Sequence, residues 1–360
     1  MNNINIYNQD PLVEMSFQQG STLFPKVSLS EIEALKKVFN IDVTYNLCPL
    51  RAILLKDQYI DPHWALVFDK ELNVVLQSAY LKPESLVQEI LNKRQKGVTQ
   101  LSEKFVYFVG YNLGYGNYYH WCLQCLPTLI LYFSLKNIYT NLKLLLPKSL
   151  PDFAFQYLQI LNVDLKNEVE FIVVDERLYL AKEMIYPSLL GGEFAFEASI
   201  SVLNFSKSYF ENSIKKKSSL FSLNLGKKRL MYCARLDSKN RIIKNEQLLI
   251  NHLKEKYHAK IYTNTGQSVK DQANSFHEAD IIISPHGAGM TNILFCKKGT
   301  TIIELIPDKY TNPCFATLAV HNELKYFPCV FPTITYEGRQ QDYEWEIELS
   351  SIDSVLSKLI

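Results

Sequence analysis

No excess of charge marks this chain. Lys and Arg together number 38 against 37 for Asp and Glu in 360 residues, so no global field gathers nucleic acid and no such partner is expected. The two local basic runs, Lys215-Lys216-Lys217 and Gly226-Lys227-Lys228-Arg229, read as solvated linker or helix-end charges. Long apolar runs are missing too. Nothing reaches the ~18 uninterrupted apolar residues of a membrane span, and Met1-Asn2-Asn3-Ile4-Asn5 lacks the basic and then apolar pattern of a secretory signal. Cysteine is sparse and odd in number: Cys48, Cys122, Cys125, Cys233, Cys296, Cys314 and Cys329 stand in apolar surroundings, as reduced core thiols do. These absences lead to the expectation of a cytoplasmic protein. Cys122 and Cys125 form a C-x-x-C inside an apolar helical run rather than at a helix start, where a thiol pKa would fall, so packing is their expected role. No G-x-S-x-G elbow accompanies the oxyanion-like sequence His286-Gly287-Ala288-Gly289, which removes a lipase-type hydrolase. There is no D-x-D either.

What is present is apolar bulk. With 47% hydrophobic and 12% aromatic residues, the chain is long enough for two compact domains, each with its own core. Residues 1–100 read as an irregular α+β segment, with a strand near Ala52-Leu55 and a hairpin from Ala65-Phe68 to Val74-Leu76. Residues 105–214 read as Rossmann-like. Here the strand Phe105-Val109, a loop with three glycines, a helix over Tyr118-Leu135, the strand Leu142-Leu146, the helix Phe153-Leu161 and the strand Val169-Val174 follow the βαβ rhythm of a parallel sheet. Ser199-Ile214 is predicted helical, and together 1–214 make an N-terminal acceptor-side domain. The polar, serine-rich stretch 215–228 is the predicted linker.

The pattern then restarts over 229–345, giving a second Rossmann-like domain. Its strands are Arg229-Cys233, Lys260-Tyr262, Asp280-Ser284 and Thr301-Ile306, with helices at Asn245-Lys256 and Val269-His277 and a helix start at Thr291-Phe295. Residues 346–360 supply a terminal helix, Ser351-Leu359, after a strand Trp345-Leu349, and this helix is a candidate for packing back on the first domain.

The strongest chemical signal is the strand Asp280-Ser284 running into Pro285-His286-Gly287-Ala288-Gly289-Met290-Thr291-Asn292. A buried parallel strand there delivers a glycine loop to a helix N-terminus, where free N–H groups and the helix dipole favour phosphate. Asn292 stands where a G-x-G-x-x-G fingerprint has its third glycine, so a tight strand-to-helix turn capped by Thr291 is the competing reading. Glu304 lies mid-strand and needs a partner, either ribose hydroxyls or a neighbouring loop. Arg235 follows its strand at the carboxyl end where open α/β sheets bind ligands, with Arg241 six residues on. Both are candidates to clamp a pyrophosphate, surface ion pairing being the alternative. In the first half, Asn117-Tyr118-Tyr119-His120-Trp121 opens a helix after a glycine loop. His120 has a near-neutral pKa suited to deprotonating a hydroxyl, though capping or packing explains many such histidines. Gln124, one turn later on the same face, has no acid or base capacity.

These segments resemble glycosyltransferase family 61, which includes bacterial capsule-type, plant xylan-modifying and animal O-glycan enzymes. The blocks that carry the resemblance are Asn117-Trp121 with Leu126-Pro127; Tyr232-Cys233-Ala234-Arg235 through Arg241 to Asn245-Glu246; and Ala279 through Ser284-Phe295 to Glu304. The resemblance implies an α/β GT-B fold of two Rossmann-like domains and an inverting, metal-independent transfer from a nucleotide sugar to a glycan hydroxyl. It implies donor binding by Arg235, Arg241, Asn245, Pro285, His286, Gly287, Ala288, Gly289, Thr291, Asn292 and Glu304. Asn117, Trp121 and Gln124 fall on the acceptor side, and His120 and Arg235 in the catalytic role. No cofactor or metal is expected. The context implied is bacterial surface polysaccharide synthesis, with peripheral membrane association through a lipid-linked acceptor. Many bacterial relatives carry an acidic residue where Gln124 stands and an arginine where Thr128 stands, which shifts the base role towards His120. A non-catalytic nucleotide-sugar-binding module and a nucleotide-sugar oxidoreductase are the competing classes. Neither glycine loop completes the dinucleotide fingerprint that the latter needs.

Overall fold

The computed structural model describes residues 6–7, 12–15, 50–175, 177–187, 228–236, 238–335, 337–339 and 342–360. The helix expected at Ser199-Ile214 and all but the last residue of the linker 215–228 lie outside them. The chain divides into two compact units, Met1–Gln19 with Tyr45–Ser213, and Gly20–Thr44 with Ile214–Ile360. Each is mixed α/β with its own sheet. Among the described residues no helix is long and apolar enough to cross a membrane.

The first unit is built on a sheet of β1 (Ile6–Tyr7), β2 (Val13–Met15), β3 (Leu50–Asp61), β4 (Leu66–Phe68), β5 (Val74–Val75), β6 (Val98–Gln100), β7 (Val106–Val109), β8 (Leu142–Pro147), β9 (Val169–Ile172) and β10 (Leu178–Pro187). Its order is β1-β5-β4-β3-β10-β7-β8-β9, with β2 on β3 and β6 on β10. The run β7-β8-β9 is parallel, the βαβ rhythm read in the sequence, and β7 and β8 are largely apolar as strands covered on both faces must be. The sequence predicts residues 1–100 as an irregular α+β segment within the domain 1–214. Strand β10 pairs antiparallel with β3 and parallel with β7, joining both parts into one sheet. Lys182 and Glu183 interrupt β10 and mask its apolar pattern, yet it buries residues on either side of them. Helix α1 (Val87–Lys96) is also absent from the sequence reading, and its Lys93 is buried against Asp61 at 2.9 Å.

The helix predicted over Tyr118-Leu135 is α2, residues 118–135, and it is not regular. A turn of α-helix, Tyr118–His120, passes into a π-turn, Trp121–Cys125, then a tight 3₁₀ turn, Leu126–Thr128, before α-helix resumes at Leu129–Leu135. Pro127 explains the break: it has no N–H to donate and its ring crowds the carbonyl four residues back. Helix α3 (Asp152–Ile160) crosses between β8 and β9. Cys122 and Cys125 are buried, and burial pushes both thiols up to about 12, which fits packing.

The second unit is an all-parallel sheet of β11 (Leu230–Cys233), β12 (Lys260–Tyr262), β13 (Ile281–Pro285), β14 (Thr301–Pro307) and β15 (Lys325–Phe331), in the order β12-β11-β13-β14-β15. Strands β13 and β14 are buried at every position. Helices α4 (Glu246–Tyr257), α5 (Val269–Glu278) and α6 (Cys314–His321) connect them, and α5 is capped by Ser268, whose Oγ accepts from Asp271 N at 3.1 Å. Strand β15 carries Pro328, which hides it in the sequence, and it sits at the sheet edge where a missing N–H is tolerated.

One prediction is corrected at the C-terminus. Trp345-Leu349 is not a strand: Trp345 makes only isolated bridges to Ile243 and Thr333. The terminal helix α7 (Leu349–Leu356) buries Ile352 and Leu356 in the second unit's core with Tyr232, Ile250 and Leu253.

Candidate functional site

Numbered from its own first strand, the second sheet has the order 2-1-3-4-5. Connections leave on opposite sides at the boundary between β11 and β13, and in such sheets ligands bind outside the carboxyl ends of the strands at this switch point. The residues that emerge there are Ala234-Arg235 from β11 and His286-Gly287 from β13, the two stretches singled out in the sequence.

Arg235 is planted rather than loose. Its N–H donates to Glu246 Oε1 at 2.7 Å, and that carboxylate, buried at the start of α4, also accepts from Tyr232 Oη at 2.8 Å. The guanidinium donates to Ser238 Oγ at 2.6 Å, to the Asn240 carbonyl at 3.2 Å and to the His286 carbonyl. It packs against Gly287, where a Cβ would come within 2.7 Å of Nη1 and displace the guanidinium from this position. Gly289 is likewise pressed against the Asn264 amide.

Arg241 ends the same loop with φ of 52°, in the left-handed region. Its guanidinium sits 4.7 Å above the Tyr310 ring and makes no hydrogen bond or ion pair among the described residues, and its Nε is buried without a partner. Burial pulls this guanidinium below its ordinary value, with Tyr310, Cys314 and Glu304 opposing. A half-buried cation in that state lacks the opposite charge that would offset its desolvation.

Beside it, His286 Nδ1 is 2.5 Å from Glu304 Oε1, and Tyr326 Oη donates to the other carboxylate oxygen. The His286 ring packs 5.4 Å from Tyr310 and 5.0 Å from Phe315, and its Nε2 has no partner among the described residues. The sequence reading of Glu304 as a ribose contact is therefore corrected. The side chain is fully enclosed with both oxygens occupied, and it holds His286 in place.

Several other predicted donor contacts prove structural. Asn245 spends its amide on the backbone of Ile347, at 2.8 and 3.0 Å. Asn292 is fully buried and donates to Gln272 Oε1 at 2.9 Å and to the Gly289 carbonyl at 3.1 Å. Thr291 does not cap a helix: it lies 1% exposed inside a 3₁₀ helix, Ala288–Phe295, and its hydroxyl has no partner. Pro285 closes β13 and is buried. Ala288 and Gly289 are half-buried at the start of that 3₁₀ helix, where their N–H groups have no intrahelical acceptor.

In the first unit, β7 leads through Gly110-Tyr111-Asn112 and a turn to His120. Asn117 caps the helix, its Oδ1 accepting from Tyr119 N at 2.9 Å. Trp121, predicted on the acceptor side, is fully buried, with its indole N–H unpartnered, so it cannot touch an acceptor. His120 is half-buried, and its Nδ1 lies 2.9 Å from Gln124 Oε1, which also accepts from Asn112 Nδ2 at 3.2 Å. Burial lowers the His120 pKa from 6.5, opposed by the Gln124 hydrogen bond. Gly114 packs on the ring, since a Cβ there would fall 2.6 Å from that of His120.

Tyr80, Asn112, Tyr310 and Tyr326 are site residues that the sequence reading misses. Asn112 had a usable signal, a polar residue immediately beyond a buried strand. The tyrosines had none, being 3 of 22. Among the described residues, no three His, Cys, Asp or Glu side chains cluster so as to hold a metal.

The second unit is thus an open parallel α/β domain with Arg235, Arg241 and the glycine loop at its switch point. The family described as Glycosyltransferase 61 matches residues 118–303, more than half of the chain, which runs from the His120 helix through Arg235 and the glycine loop into β14. The chain belongs to this family. It is similar to a beta-1,2-xylosyltransferase of Arabidopsis thaliana, 39% identical over 59 residues, and to one of Oryza sativa subsp. japonica, 31% identical over 65 residues. These matches cover 16% and 18% of this chain and span 11% and 12% of the length of those curated relatives.

Proposed function

We propose that the protein transfers a sugar from a nucleotide-sugar donor to a hydroxyl of a glycan acceptor, as a GT-B enzyme in which residues 229–345 hold the donor and residues 1–214 supply the base. One observation carries the reading: Arg241, a half-buried guanidinium with no hydrogen bond or ion pair among the described residues, stands in the loop that Arg235 opens at the switch point of a doubly wound sheet. A diphosphate satisfies both cations, and the N–H groups of Ala288 and Gly289 add donors of the kind that anions seek at helix starts.

In the proposed reaction the acceptor hydroxyl attacks the anomeric carbon from the face opposite the diphosphate, inverting configuration in one displacement. His120 Nε2 takes the hydroxyl proton. Charge developing on the leaving phosphate is met by Arg235 and Arg241 without a divalent ion. The names of the plant relatives make a xylosyl donor the first to try, with uridine and cytidine nucleotides as carriers. Surface polysaccharide synthesis at the inner face of the cytoplasmic membrane, on a lipid-linked acceptor, is part of the proposal and rests on the resemblance of the motif blocks.

The test is incubation with a panel of nucleotide sugars, reading nucleotide release with and without glycan acceptor and with a chelator. Acceptor-dependent release that survives chelation is expected. A bound nucleotide at ~100 times its dissociation constant should add about 2.7 kcal/mol of stability, so thermal shift identifies the carrier. Reduction of a nicotinamide cofactor instead would overturn the reading.

A further inference from the structure

A carboxylate at the position of Gln124 would accept from a histidine through either oxygen. An amide accepts at only one end. For Gln124 to orient His120, something must therefore decide which end faces the ring.

The hydrogen bonds supply that decision, beginning from a group with no ambiguity. The backbone N–H of Gly114 can only donate, and it meets Asn112 Oδ1 at 2.8 Å. Cys125 Sγ donates to the same oxygen at 3.4 Å. The other end of the Asn112 amide must then be its NH₂ group, which donates to Gln124 Oε1 at 3.2 Å. Tyr80 Oη lies 3.5 Å from that oxygen and 3.4 Å from His120 Nδ1, both longer than the 2.9 Å between Nδ1 and the oxygen. An oxygen 2.9 Å from His120 Nδ1 requires a hydrogen on that nitrogen, so the lone pair of the neutral ring resides on Nε2. Nε2 makes no hydrogen bond among the described residues and is not enclosed. Both amides are buried, Asn112 at 4% and Gln124 at 9% exposure, so neither is free to turn over into water. The π-turn Trp121–Cys125 opens directly after His120 and contains Gln124, a local distortion of the kind found at functional sites.

We infer that Asn112 is a positioning residue: by holding Gln124 with its carbonyl towards His120 Nδ1, it fixes the ring in the tautomer whose Nε2 accepts a proton. This rests on the reading of His120 as the base. The groups facing the ring are Tyr80 from the segment after β5, Tyr119 and Gln124 from α2, and the Gly114 turn. None of these carries charge at neutral pH. The relay therefore orients the ring without the Coulombic support that a carboxylate gives to a protonated imidazole.

The experiment reads the tautomer directly, by ¹⁵N-resolved NMR of the histidine rings in the full chain, with His120 assigned by its loss in His120→Ala. Wild-type protein is expected to show Nδ1–H with an unprotonated Nε2. Asn112→Ala should shift population towards Nε2–H and lower kcat by roughly 10-fold or more, part of the about 10²–10⁴-fold a general base contributes, with donor KM unchanged. Adding Gln124→Glu to Asn112→Ala should restore both tautomer and kcat, because either carboxylate oxygen accepts. An Nε2–H tautomer in wild-type protein, an unmoved tautomer in Asn112→Ala, or failure of the rescue in a folded double variant overturns the inference. The NMR arm needs no activity, so the tautomer is read even if the chain proves not to be a transferase. A correct tautomer in a protein without transfer would sink only the functional reading.

Discussion

Each unit carries a histidine in the segment that follows a parallel strand, at once after β13 for His286 and across a loop from β7 for His120, and the two rings are held through Nδ1 by different partners. His286 faces Glu304, a carboxylate that is fully enclosed and fully occupied. His120 faces Gln124, a neutral amide that is itself held by another amide. A buried carboxylate with two donors cannot turn away without leaving a charge in the core, so the first arrangement holds the glycine loop in shape. An amide sets direction without adding charge, and its ring keeps an Nε2 that has no partner among the described residues. On the proposed function, the difference separates a histidine that shapes a binding site from one that moves a proton.

The comparison breaks most decisively at His120. His120→Ala should lower kcat by about 10²–10⁴-fold while leaving nucleotide affinity unchanged, measured by turnover and calorimetric titration. Loss of nucleotide affinity instead would put this ring in the donor site. Next in size, Glu304→Ala should cost about 3–5 kcal/mol of folding stability in denaturant titration, because it strands the buried Tyr326 and His286 donors. A variant of normal stability with weakened donor binding would restore the ligand-contact role that burial argues against. Arg241→Ala should weaken nucleotide binding by about 1.5–3 kcal/mol, roughly 10- to 100-fold, with stability held within about 0.5 kcal/mol, since no protein partner is orphaned.

The smallest effect concerns pH. His120 titrates below its ordinary 6.5, so the basic form persists into mild acid, and kcat should fall only as pH drops through that lowered value. Gln124→Glu should move the acid limb of the kcat profile upward by about 1 pH unit or more, as an added negative charge favours the protonated ring. An unmoved limb would mean that another group controls it.

Much of this was legible before any coordinates. The apolar runs of β13 and β14, the glycine loop after β13, Arg235 at the end of β11 and the spacing from His120 to Gln124 all follow from local pattern. Other features had no local signature. Strand β10 is split by Lys182-Glu183, and β15 contains Pro328, so both read as something else until their neighbours in the sheet are known. Asn245 and Asn292 lie within or beside the motif blocks but face the protein's own backbone and side chains. Trp121 sits next to His120 in sequence, yet the helical turn sends it into the core.

By itself the sequence determined that this is an α/β chain with a glycine loop delivered by a buried strand, because strand burial and tight turns depend on residues close along the chain. Only the tertiary structure decided which polar side chains were already spoken for. Glu304, Asn245 and Asn292 are satisfied by distant partners, whereas the Arg241 guanidinium and the Nε2 of His120 make no hydrogen bond among the described residues. Whether a buried polar group has a partner depends on what the fold brings to within about 3 Å of it, and no spacing along the chain records that.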